Sequence, residues 1–136
     1  MTAGYSGTPL PRKLGIKQGQ RVAIVNAPAG FEATLGELPE AVTVVRAGLR
    51  GPLDVIVAFF TERRALERRL ARLMAAMDRA GGLWIAWPKR SSGVPSDLTE
   101  NVVRELALAS GVVDNKVCAI DETWSGLRLV IRLSDR

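Results

Sequence analysis

Short apolar, β-branched runs alternate along this chain with segments whose apolar residues recur every three or four positions. Arg21-Val22-Ala23-Ile24-Val25, Asp54-Val55-Ile56-Val57-Ala58-Phe59-Phe60 and Leu83-Trp84-Ile85-Ala86-Trp87 are continuous runs of the kind that strands covered on both faces require. Ala41 to Arg46, carried by Val42, Val44 and Val45, reads as a further strand, and Lys116–Ile120 and Gly126–Leu133 as the last two. From Thr61 or Glu62 to about Arg79, Leu66, Leu70, Leu73, Met74 and Met77 fall on one helical stripe, which Ala80-Gly81-Gly82 stops. A second helix follows Asp97-Leu98-Thr99-Glu100, whose D-x-x-E spacing makes Asp97 its expected cap. That helix is expected to bury Leu98, Val102, Leu106 and Ala109 and to end at Gly111. Shorter helical turns are expected at Pro11 to Leu14 and around Glu32–Leu38, the latter ending before Pro39.

Strands alternating with helices predict an α/β fold, three-layered and Rossmann-like, with a mostly parallel six-stranded sheet. The link Asp121-Glu122-Thr123-Trp124-Ser125 is too short for a crossover, so the C-terminal strand pair must be antiparallel. The expected strand order, numbered along the chain, is 2-1-3-4-6-5. Residues 1–10, rich in Gly, Ser, Thr and Pro, are expected to form an extended arm, and residues 11–136 a single domain.

In such a sheet, ligands bind beyond the carboxyl ends of the parallel strands, where the strand order reverses. Asn26 to Gly30, Thr61 and Glu62, and Pro88 to Gly93 follow those ends, and Asp121 to Ser125 opens onto the same edge if the fifth strand is parallel. The candidate ligand-binding residues are therefore Asn26, Lys89, Arg90, Ser91, Ser92, Asp121, Glu122, Trp124 and Ser125. Lys89 and Arg90 would supply positive charge and Trp124 a stacking surface. The same residues admit plainer readings: a solvated cation pair, turn chemistry at Ser91-Ser92-Gly93, carboxylates of Asp121 and Glu122 tying two loops together, and an indole plugging the core. Trp84 and Trp87 lie inside a strand and are read as core. A second candidate is the helical row Arg64, Arg68, Arg72 and Arg79, an alternative nucleic-acid surface interspersed with Glu62, Glu67 and Asp78.

Composition narrows the chemistry. The 136 residues include no histidine, which excludes a histidine general base, His-based triads and His-containing zinc sites within this chain. A single cysteine, Cys118, allows no internal disulfide and no thiolate cage, and its run Val117-Cys118-Ala119-Ile120 reads as core. No metal is expected. The formal net charge of +5 permits anionic partners without naming one. No apolar run approaches the roughly 20 residues a membrane span needs, and Met1–Gly7 lacks the features of a signal peptide. A cytoplasmic location and no membrane association are the expectations; the oligomeric state is left open.

The run Leu14-Gly15-Ile16-Lys17-Gln18-Gly19-Gln20-Arg21-Val22, followed by strand, loop and helix, resembles the entry to a class I S-adenosylmethionine-dependent methyltransferase, and Gly126-Leu127-Arg128-Leu129-Val130-Ile131 resembles how that fold ends. The resemblance implies an acidic, glycine-rich turn after the first strand and an acid at the end of the second. Here Asn26-Ala27-Pro28-Ala29-Gly30 and Arg46-Ala47-Gly48 stand at those places, so S-adenosylmethionine is not expected to bind in the usual manner and the cofactor is left open. Gly4–Leu10, Trp87-Pro88-Lys89 with Gly93-Val94-Pro95, Asp97–Glu100, Asp114–Cys118 and Trp124–Leu127 also resemble a family of small uncharacterised bacterial proteins, a domain of unknown function. The expected function is a non-catalytic methyltransferase-like domain that binds an anionic small molecule or a protein partner at the carboxyl edge. The alternatives are nucleic-acid binding and a histidine-free, transferase-like enzyme with Asp121 or Glu122 as base and Lys89 as electrostatic stabiliser.

Overall fold

The computed structural model describes residues 7–136. Six strands, β1 (Arg21–Val25), β2 (Thr43–Val45), β3 (Leu53–Phe59), β4 (Met77–Pro88), β5 (Val112–Ala119) and β6 (Trp124–Ile131), form one sheet in the order β2-β1-β3-β4-β6-β5. β1 pairs in parallel with β2 and β3, and β3 with β4; β6 is antiparallel to both β4 and β5. β5 therefore runs parallel to β4, and the expected strand order is the observed one. Of the expected arm, residues 1–6, with the first three residues of the Gly4–Leu10 run, lie outside the described residues. Leu10 is buried and already opens the first helix, one residue earlier than the sequence pattern places it.

Helices α1 (Leu10–Leu14) and α2 (Phe31–Leu35) cover one face, while α3 (Arg63–Ala76) and α4 (Glu100–Ala109) cover the other. In the central strands the side chains sort by parity. Leu83, Ile85 and Trp87 join the α3/α4 core, whereas Trp84 and Ala86 join the α1/α2 core. The apolar runs are thus continuous because both faces are covered. Trp84 is fully buried and its Nε1 donates to the Leu14 carbonyl at 3.0 Å, which ties the sheet to the end of α1.

Three local expectations are corrected. α3 ends at Ala76, not near Arg79, because Met77 pairs with Leu53 and the chain enters β4 with no intervening loop. Asp97 does not cap α4. That helix begins at Glu100, and Thr99 Oγ1 accepts from Val102 N at 3.2 Å. Asp97 Oδ1 instead accepts from Arg63 N at 2.6 Å, at the start of α3. Finally, α4 is rotated from the expected stripe: Val103 and Ala107 are fully buried, Val102 and Leu106 partly, and Ala109 is exposed. Thr99→Ala should then destabilise the fold by about 1 kcal/mol, the usual loss for an N-cap, as measured by the urea midpoint. Asp97→Ala should act through α3 instead, so the two effects should add within error, whereas one shared cap would make them redundant.

Candidate functional site at the carboxyl edge

β1, β3 and β4 end on one rim of the sheet, and the turn between β5 and β6 opens onto it. Asn26 follows β1 with a φ of 57°, a left-handed conformation that asparagine tolerates better than most residues. Its Nδ2 donates to the Phe59 carbonyl at 3.2 Å and pins the exit of β1 to that of β3. The Phe59 ring stands edge-on to Phe31, with centroids 4.8 Å apart, and to Trp124 at 5.1 Å. A cavity of about 270 Å³ lies above this aromatic floor, bounded by Asn26, Phe60, Thr61, Glu62 and Trp124.

Lys89 and Trp124 lie on the same rim, since Pro88 is the register partner of Trp124. Lys89 N donates to the Thr123 carbonyl at 2.7 Å and its Nζ to the Asp121 carbonyl at 2.8 Å, so lysine and turn are latched together. The latch runs through backbone oxygen rather than through a carboxylate. Asp121 Oδ1 accepts instead from the N–H groups of Thr123 and Trp124, both at 2.8 Å, which shapes the turn. Arg90, Ser91 and Ser92 form a single helical turn closed by Gly93, whose φ of 77° suits glycine. Ser92 Oγ donates to the Lys89 carbonyl at 2.6 Å and accepts from Val94 N at 3.2 Å. Arg90, Ser91 and Glu122 are exposed, and Ser125 is half-buried between Trp87 and Ala119 in the register.

Of the residues named from sequence, then, the cavity takes Asn26 and Trp124, while Lys89 to Ser92, Asp121, Glu122 and Ser125 sit beside it on the rim. Trp124 is half-buried and packs on Phe59, so it both closes the core and walls the cavity. Phe59 and Phe60 were not legible as site residues because both belong to an apolar run. Only strand parity, which puts Phe59 on the Trp124 face, carries that signal. The arginine row is corrected: Arg64, Arg68 and Arg72 are exposed on α3, but Arg79 belongs to β4, where Nη2 donates to the Asp135 carbonyl. Cys118 is half-buried beside the α1/α2 core, and burial pushes its thiol up against the opposite pull of Lys13 and Lys116, so it stays protonated near neutrality.

The layered architecture is shared by solved structures across nearly the whole chain. A SAM-dependent methyltransferase from Aquifex aeolicus superposes with a TM-score of 0.67 over 95% of this chain and 91% of that one, at 17% identity. The fold is methyltransferase-like. Magnesium protoporphyrin IX methyltransferase from Synechocystis PCC 6803 (TM-score 0.59, 13% identity, covering 85% of this chain and 75% of that chain) shares it. So does a TehB-like SAM-dependent methyltransferase from Corynebacterium glutamicum (TM-score 0.57, 11% identity, covering 96% and 91%). No family model and no curated protein matches the chain, so the resemblance to small bacterial proteins rests on the quoted runs alone.

The residues of this methyltransferase-like rim do not fit S-adenosylmethionine in the manner the resemblance implies. Arg46 stands just past β2, where a carboxylate would hold the ribose hydroxyls, and it pairs with Glu32 of α2 at 2.7 Å. Both side chains are largely exposed, so the pair adds little stability, but it sets positive charge where the cofactor requires an acid. The turn after β1 carries Asn26 and Pro28 and a single glycine, Gly30. Among the described residues, no group of three or more His, Cys, Asp or Glu could hold a metal ion, and no helix is long and apolar enough to cross a membrane.

Proposed function

We propose that the chain is a non-catalytic methyltransferase-like domain that binds a small anionic molecule at the carboxyl rim of its sheet. One observation carries this reading. Several polar groups of the rim that could do chemistry are engaged in shaping it: Asp121 in its turn, Lys89 on the Asp121 carbonyl, Ser92 on the Lys89 carbonyl and Asp97 on α3. The Arg90 side chain, by contrast, is exposed and makes no hydrogen bond or ion pair among the described residues. The half-buried Trp124 offers an aromatic wall, and Glu62 in the cavity lining would turn an anion toward the β4 loop.

A protein partner at the same edge is favoured by Val94, which is 39% exposed on the loop beside Pro95. The enzymatic alternative rests on Glu122, because the Asp121 carboxylate is held by two backbone N–H groups. The nucleic-acid alternative rests on three arginines of α3 after the loss of Arg79, with neighbouring Arg63 paired to Glu67 at 3.5 Å.

A thermal-shift screen against nucleotides, S-adenosylmethionine analogues and phosphorylated metabolites would find the ligand, because binding to the native state raises the melting temperature. The Lys89→Ala/Arg90→Ala double variant should weaken the hit at least about tenfold, the loss expected for charge-assisted contacts. Undiminished affinity in the double variant, or tight binding of S-adenosylmethionine with methyl transfer, would overturn the reading.

A further inference from the structure

The opposite edge of the sheet holds a second concavity, of about 400 Å³, within the range small-molecule sites occupy. Its lining carries four cationic side chains, Lys13, Lys17, Lys116 and Arg128, against two carboxylates, Asp54 and Asp78. Two irregularities in the sheet shape it. On β4, Asp78 to Gly81 bulge out opposite Asp54 alone, since Leu53 pairs with Met77 and Val55 with Gly82. On β5, Asn115 is the extra residue between Asp114 and Lys116. Bulges of this kind re-aim side chains and are concentrated near functional sites.

The consequence is a guanidinium with an unusual setting. Arg128 lies over Gly82, where any Cβ would strike its guanidinium, and donates Nη1 to Asn115 Oδ1 at 3.3 Å. Lys116 is its direct cross-strand partner, a like-charge opposition that costs stability when nothing lies between. Among the described residues Arg128 pairs with no carboxylate. Burial, with Arg136 adding to it, holds the Arg128 guanidinium below the usual arginine range. Each of the two acids accepts from a backbone N–H: Asp54 Oδ2 from Arg21 N at 2.9 Å and Asp78 Oδ2 from Ala80 N at 2.9 Å. The lysines keep donors to offer. Lys13 gives one N–H to the Ala119 carbonyl, Lys116 gives one to the Lys13 carbonyl, and each ammonium has three.

We propose that this amino-edge concavity, separate from the carboxyl rim, is a binding site for a small phosphorylated anion, held by the half-buried Arg128 at its floor and by Lys13, Lys17 and Lys116 around it. Such a ligand would lie between the two opposed cations and turn their repulsion into shared attraction.

Inorganic pyrophosphate and ADP, titrated calorimetrically at constant ionic strength, tell a bare polyanion from a nucleotide. Arg128→Gln should weaken the bound one about tenfold, and amide resonances of Gly81, Asn115 and Lys116 should shift on titration. Arg69→Gln removes the same charge from α3 and should leave the affinity unchanged. If Arg128→Gln does not fold, Lys17→Glu, at an exposed position, should weaken binding by a similar factor. Failure of both probes to bind below about 1 mM would overturn the proposal. So would a loss in Arg69→Gln equal to that in Arg128→Gln, or a loss confined to Lys89→Ala/Arg90→Ala, which would place the anion at the carboxyl rim instead.

Discussion

Replacing Trp84 with alanine is expected to lower the stability of the fold by about 4 kcal/mol, toward the upper end for a buried aromatic. Trp84 has no exposed surface and sits where the α1/α2 core meets the central strand. Its removal has two separable parts. The ring leaves a cavity that β4, held in the middle of the sheet between β3 and β6, cannot collapse to fill. The Nε1–H leaves the Leu14 carbonyl without its donor inside a fully buried residue. Trp84→Phe isolates the second part, because it keeps most of the apolar volume and loses the N–H; a loss of about 1–2 kcal/mol is expected. Calorimetry should show the alanine variant melting roughly 10–15 °C lower. A loss below about 2 kcal/mol in Trp84→Ala, or a phenylalanine variant as stable as the parent, would mean that α1 is not anchored to the sheet in the way described.

That anchor was only half visible beforehand. The Leu83–Trp87 run marks Trp84 as core, but nothing in the run shows that its polar edge reaches a carbonyl 70 residues earlier in the chain. The same division recurs throughout. Strand existence and order were legible because the apolar runs are long and the β5–β6 link is too short to cross over. The end of α3 was not, since Leu66 to Met77 keeps a helical period that pairing with Leu53 overrides at its last member. The D-x-x-E spacing assigns Asp97 to the helix that follows it in sequence, yet its carboxylate accepts from Arg63 N at the start of α3. The carboxyl rim gathers the starts of several elements, and the N–H it serves belongs to α3.

The candidate site divides along the same line. Topology alone brings the β4 loop and the β5–β6 turn together, and Lys89 and Trp124 are indeed neighbours. Which partner each polar side chain takes depends on positions within an ångström, and periodicity carries no such information. Lys89 and Asp121 are therefore joined, yet by a carbonyl instead of an ion pair. The amino-edge cations are not legible as a cluster in the sequence for a different reason. Lys13 and Arg128 lie near opposite ends of the chain, and the rule that directs attention to carboxyl edges directs it away from them.

Gly81 and Gly82 allow that amino edge to be tested without touching a charge. Gly81→Ala is expected to destabilise the fold by about 3 kcal/mol, because its Cβ would stand 2.7 Å from the Asp54 carbonyl oxygen and 3.0 Å from that of Leu53. Both obstacles are backbone atoms of a central strand, so relief requires the β4 bulge to open. At Gly82 the obstacle is the end of the Arg128 side chain, which can swing away, and Gly82→Ala should cost under about 1 kcal/mol. Swinging away removes the guanidinium from the floor of the concavity, so this mild variant should weaken pyrophosphate or ADP binding nearly as much as Arg128→Gln does. The two glycines thus separate strain from recognition: one substitution should be read in the denaturation midpoint, the other in the titration. Equal and small effects of both on stability would show that the bulge is not packed against β3 as tightly as these distances require.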